Sequence, residues 1–131
     1  MSFMERIVRW ADSPRKSAPA RGAAAEVLAA IHLARRGVKI LARNYRIKGG
    51  EIDLIGREGQ VLLFIEVRLR SRSDFGGAGA SITPAKQRRL VLAAAHYLQG
   101  HGEQACRFDC VLLDGLDGDR IEWIRDAFRT D

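Results

Sequence analysis

Gly49-Gly50-Glu51-Ile52-Asp53-Leu54-Ile55-Gly56-Arg57-Glu58-Gly59-Gln60-Val61-Leu62-Leu63-Phe64-Ile65-Glu66-Val67-Arg68-Leu69-Arg70 is the stretch on which the fold turns. From Glu51 to Ile55 acidic and apolar residues alternate, the period of a half-buried strand. Val61 to Leu69 is a second, longer apolar run, interrupted only by Glu66 and Arg68. Glu58-Gly59 between them predicts a two-residue hairpin turn, because glycine tolerates positive φ.

That turn sets a register. Ile55 then faces Leu62, Asp53 faces Phe64 and Glu51 faces Glu66. Parity puts Glu51, Asp53, Glu66, Arg68 and Arg70 on one face of the sheet. Glu66 becomes the diagonal neighbour of Asp53, at a separation of roughly 7–8 Å. Three carboxylates on one face repel one another unless a cation lies among them. Arg68 or a bound metal ion would serve.

The rest of the chain frames this hairpin. Pro19 to Arg36 reads as a helix with Ala23, Val27, Ala30, Ile31 and Ala34 as its apolar stripe and Gly37 as its stop. Glu26 sits at the edge of that stripe, so its carboxylate needs a partner. Either an arginine pairs with it or it joins the acidic set. Val38 to Lys48 is the first strand, with Arg46 near its end. Ser71 to Ser81 is a Ser/Gly-rich loop that carries Arg72. Thr83-Pro84 starts a second helix, Thr as N-cap and Pro at the first position. Its buried side is Leu90, Val91, Ala94, Tyr97 and Leu98. Its first turns carry Lys86, Gln87, Arg88 and Arg89. Cations there oppose the helix dipole, and a bound phosphate would relieve them. Arg107 to Leu113 is a fourth strand, with Phe108, Cys110 and Leu112 toward the core and Arg107 and Asp109 away from it. Arg120 to Ile124 is a short fifth strand and Asp126 to Arg129 a terminal helical turn. The expected class is therefore α/β: a central mixed sheet of five strands flanked by helices, in the order α-β-β-β-α-β-β.

Bulk properties narrow the function. The 131 residues make one domain, expected at 20–131, preceded by a basic helix and linker at 1–19. Lys plus Arg number 22 against 16 Asp plus Glu, a net charge of +6. Such a balance favours a polyanionic partner, nucleic acid above all. No apolar run is long enough to span a bilayer, which sets a membrane role aside. With no signal-peptide pattern at the N-terminus, the cytoplasm is the expected compartment. Cys106 and Cys110, four apart on one strand, lie roughly 13 Å from each other, too far for a disulfide.

Asp53 followed by Glu66-x-Arg68 resembles the PD-(D/E)xK nuclease core. The resemblance extends through Arg21-Gly22-x-x-Ala25-Glu26, Arg43-Asn44-Tyr45-Arg46, Gly50 to Ile55, Phe64 to Arg70, Lys86-Gln87 and Cys106-Arg107-Phe108-Asp109. In that order these motifs resemble the YraN-type bacterial family, uncharacterised and described as endonuclease-like, similar to Holliday-junction resolvases. The resemblance implies a restriction-endonuclease-like core. It implies that Asp53 and Glu66 hold Mg²⁺, with Glu26 as a further ligand or an orienter of water. Arg46, Arg70, Arg72, Lys86, Gln87, Arg88 and Arg89 are the expected nucleic-acid contacts. DNA, branched DNA in particular, is the implied substrate and a homodimer the implied assembly. Arg68 departs from the family pattern, standing where a lysine is usual. A guanidinium is planar, permanently charged and no base. Two functions therefore stay open: a Mg²⁺-dependent endonuclease, and a nucleic-acid-binding module whose nuclease site has degenerated.

Overall fold

The computed structural model describes residues 18–70, 82–118 and 120–130. The expected N-terminal helix, the Ser/Gly-rich loop and Arg72 lie outside them. Helix α1 runs over Ala18–Ala34. Strands β1 (Lys39–Ile47), β2 (Gly50–Glu58) and β3 (Val61–Leu69) follow. Helix α2 (Pro84–His101) then leads into β4 (Cys106–Leu113) and β5 (Ile121–Phe128). The five strands form one sheet in chain order. Every neighbouring pair is antiparallel except β3 and β4, between which α2 makes the crossover.

Each face of the sheet has its own core. Ala25, Val27, Ala29, Ala30, Ile31 and Leu33 of α1 pack on Leu54, Leu63, Ile65, Val111 and Leu113. Leu90, Ala93, Ala94 and Tyr97 of α2 pack on Ile52, Ile55, Leu62, Phe64, Cys110 and Leu112. Being covered on both sides explains why β3 reads as a nearly continuous apolar run. In α1 the buried stripe takes in Ala24, Ala29 and Leu33, while Ala23 and Ala34 are only half-buried. In α2, Ala93 is buried and Val91 and Leu98 sit at the edge of the core. The cap of α2 is the expected one: Lys86 N–H donates to Thr83 Oγ1 at 3.2 Å. Gly50 lets α2 lie close, since a Cβ there would meet Arg89 O at 2.8 Å and Ala93 N at 3.0 Å.

Three expectations need correction. The β2–β3 turn is Gly59-Gln60, not Glu58-Gly59: Glu58 pairs with Val61 and Ile55 with Phe64. Gly59 has φ +61, and the shift gives the positive-φ position to glycine instead of Glu58. The register moves by two residues, so parity survives, and the pairing ends at Leu54–Ile65, one residue short of Asp53 and Glu66. Second, β5 continues to Phe128, where a helical turn was expected. Phe128 stacks on Phe108 with centroids 4.6 Å apart, which holds the end of the strand extended. Third, Asp109 is not turned out to water. It is fully buried, beside a Trp123 that packs against the α1-side core.

Candidate acidic site at a break in the sheet

The site is made by a slip in β2. Ile52 belongs to the α2-side core and Leu54 to the α1-side core, although two residues apart should share a face. The alternation breaks at Asp53. Opposite it on β1, Arg43 pairs with Leu54 and Tyr45 with Ile52. Between them Asn44 takes a left-handed backbone, φ 52, a conformation asparagine tolerates better than most residues. On the other side the β2–β3 ladder ends at Leu54–Ile65. Val67 N–H, freed from it, donates to Asp53 Oδ2 at 2.8 Å. Asp53 thus serves both layers at once.

Glu26 comes to it from α1 and Glu66 from the α2 side of β3, each within hydrogen-bonding reach of its carboxylate. Burial raises the Glu26 carboxyl to about 7, with the Asp53 charge adding to it and Asn44 and Arg43 opposing. Burial and then Asp53 raise Glu66 to about 8, against a pull from Lys86. The thiol of Cys110, the β4 partner of Glu66, is pushed up to about 12 by burial and then by that carboxylate. The site is a half-buried set of carboxyls, two of which keep their protons to about 7 and about 8.

The other expected residues scatter around it. Glu51 stands at the margin of the set: its charge still raises the Glu66 carboxyl, while it pairs with Arg46 at 3.6 Å and Arg89 at 3.4 Å. Arg68 follows Glu66 on the α2 side of β3, close enough to Cys110 to lower its thiol. Arg70 is held by Asp114 at 2.7 Å and Glu122 at 3.8 Å, at the far end of β3. Gln87 donates its amide to Ile82 O at 2.8 Å. Lys86 and Arg88 stand on the first turns of α2, Lys86 exposed and both away from the core. Tyr45 is fixed by a hydrogen bond with His96 Nδ1 and meets the Tyr97 ring edge-on.

Mg²⁺ fits this donor set in kind, because hard cations take oxygen ligands and Mg²⁺ commonly uses one or two carboxylates with waters. Among the described residues no three His, Cys, Asp or Glu form a ready-made cage. Asp53 and Glu66 are the pair that would hold the ion.

Sequence reading missed a second polar cluster. Buried Asp109 accepts from Arg107 Nε at 2.9 Å, Trp123 Nε1 at 2.9 Å and Asp126 N–H at 2.9 Å. Arg107 also reaches Glu58 at 2.8 Å. Asp126 has φ 53, so among the described residues each non-glycine with positive φ stands beside a carboxylate whose strand pairing is interrupted.

A mixed sheet covered on both faces, with carboxylates from three elements meeting where two ladders break, defines a class: an α/β protein with an acidic site at its sheet. The profile of the uncharacterised protein family UPF0102 matches residues 25–113, and the chain belongs to that family. A UPF0102 protein of Dechloromonas aromatica (strain RCB) is 62 % identical over 112 residues, 86 % of this chain and 91 % of the relative. One from Methylobacillus flagellatus is 53 % identical over 104 residues, 79 % and 92 % of the two chains. One from Aeromonas hydrophila is 49 % identical over 116 residues, 86 % and 87 %. The matched span holds Glu26, Asp53, Glu66 and Asp109. No helix among the described residues is long and apolar enough to cross a membrane.

The raised carboxyls make a pH prediction. Glu26 and Glu66 hold protons in the folded chain up to about 7 and about 8, but only to 4.5 when unfolded. Between those limits the folded state binds more protons, so stability falls as pH rises from about 5 to about 8. His32, lowered by burial and by Arg36, pulls the other way. Comparison with Asp53→Asn isolates the Asp53 contribution, since it removes the charge acting on both. The urea midpoint of the wild type should fall more steeply over this range than that of the variant; parallel curves would refute the coupling.

Proposed function

We propose that this chain is a cytoplasmic nucleic-acid-binding protein that hydrolyses phosphodiesters at the Glu26–Asp53–Glu66 cluster, acting as a Mg²⁺-dependent endonuclease on branched DNA. The observation that carries the reading is the meeting of Glu26 and Glu66 on Asp53 from opposite layers of the sheet. Packing carboxylates together half-buried is unfavourable, and a folded chain gains little from it unless a cation uses them. Mg²⁺ held by Asp53 and Glu66 would neutralise phosphate charge and acidify water. Glu26, brought to Asp53 from α1, would serve as a further ligand or orient that water. Lys86 stands close enough to Glu66 to act on its charge, while Arg88, two residues on, faces the other way round the helix. A phosphate drawn to Lys86 would lie beside the acidic cluster.

Arg68 favours a second reading, a binding module without cleavage. A guanidinium can steady a phosphate but cannot take a proton from water. The test is Mg²⁺ titration with branched DNA. Cleavage by the wild type is the expected result. Arg68→Lys is expected to raise it by at least about tenfold, a small part of what a well-placed proton-transfer group contributes. Binding with no cleavage in either protein would select the binding module.

A further inference from the structure

Helix α2 has a second stripe beside the one that covers the core. Pro84, Arg88, Val91, Leu92 and Ala95 follow one another at helical spacing and line a groove of about 550 Å³, closed on its far side by Phe128 and Arg129. Leu92 is 48 % exposed there, an unusual exposure for a large aliphatic side chain among the described residues. The groove's Pro84 end lies on the first turn of α2, where Lys86, outside the groove lining, acts on the charge of Glu66. Its floor is apolar and its rim is cationic.

We propose that this groove holds an unpaired single strand of nucleic acid leading to the acidic cluster; the inference rests on the nucleic-acid reading above and narrows its substrate to one with a single-stranded arm. A duplex turns sugars and phosphates outward, and those have no use for Val91, Leu92 and Phe128. An unpaired base has an apolar face as well as a phosphate, and single-strand sites combine apolar platforms with cations for that reason. Arg88 and Arg129 supply charge at the rim, the latter while paired with Asp126 at 2.8 Å. A second copy of the chain is a poor occupant, because both partners carry a net charge of +6 and would bring arginines together. From Pro84 to Ala95 the stripe is roughly 16 Å long, at about 1.5 Å per helical residue.

The test uses the full chain, without divalent cation, and fluorescence anisotropy with a labelled oligothymidylate and a blunt duplex of the same length. Leu92→Ser removes apolar surface from an exposed helical position without altering charge. It should weaken oligothymidylate binding by about tenfold, the range of one lost base contact, and duplex binding by less than about twofold. Arg88→Ala should weaken both and lower the salt slope by roughly 0.7–0.9. A wild type that binds neither probe overturns the nucleic-acid reading itself. A wild type that binds both, with Leu92→Ser indistinguishable from it, overturns the groove alone. A change of mass by light scattering in Leu92→Ser would mark the stripe as a contact between copies and also overturn the proposal.

Discussion

Asp53→Asn is expected to reduce Mg²⁺-dependent cleavage of branched DNA by on the order of a hundredfold or more, the scale on which one well-placed electrostatic group acts. The substituted amide keeps an oxygen that can accept Val67 N–H, the bond at 2.8 Å that closes the broken ladder. The fold should therefore hold, and circular dichroism should match the wild type. The negative charge is lost, however, and a neutral amide is a far poorer Mg²⁺ ligand than a carboxylate. The same change removes the Asp53 contribution from both neighbours, so the carboxyl of Glu66 should titrate below about 8 and that of Glu26 below about 7. Burial, the larger cause in each, stays. Carbon-13 NMR of the side-chain carboxyls reads this without any reference to activity. Cleavage that survives the substitution would place the chemistry elsewhere; unchanged titration of Glu26 and Glu66 would dissolve the cluster.

Much of this was written in the chain. Period-two alternation located β2, the apolar run located β3, and Thr83-Pro84 located the start of α2 to the residue. Parity correctly joined Asp53 to Glu66, because a register error of two residues preserves faces. What parity cannot express is a strand that changes face partway. The expectation of one face for Glu51, Asp53 and Glu66 assumed unbroken alternation. The change of face between Ile52 and Leu54 is a backbone event, and it falls opposite the left-handed Asn44 of β1. Its signal in the sequence is faint: Asn44 inside a predicted strand, a residue poor in strand propensity but tolerant of the left-handed region. Asp126 carries the same signal in β5, where the sequence suggests a helical turn instead. The burial of Asp109 was hidden for another reason. A charge in a strand normally points to water, and only the tertiary approach of Trp123 and the Asp126 backbone makes the interior habitable for it.

That burial carries the largest expected effect on stability. Asp109 is 0 % exposed and is the only buried charged residue among those described. It gathers Arg107, the Trp123 indole and the Asp126 amide, and through Arg107 it is tied to Glu58, which Arg125 also grips at 3.2 Å. Asp109→Ala removes the acceptor for all three donors at once. Asp126 keeps its φ of 53 without the hydrogen bond that holds it there, and Arg107 loses one of its two carboxylate partners. Breaking a buried pair by removing one member costs about 3–5 kcal/mol. The low end applies here, because the Arg107 side chain is 22 % exposed and can turn partly to water. A loss of about 3 kcal/mol lowers the urea midpoint by roughly 1–3 M for a small domain. Asp114→Ala is the contrasting variant: it breaks the Arg70 pair at 2.7 Å, but on a side chain 32 % exposed, and should cost less than about 1 kcal/mol. Asp109→Asn keeps the volume and one acceptor and should fall between the two. Equal midpoints for Asp109→Ala and Asp114→Ala would show that the buried cluster holds β4 to β5 no more firmly than a surface ion pair does.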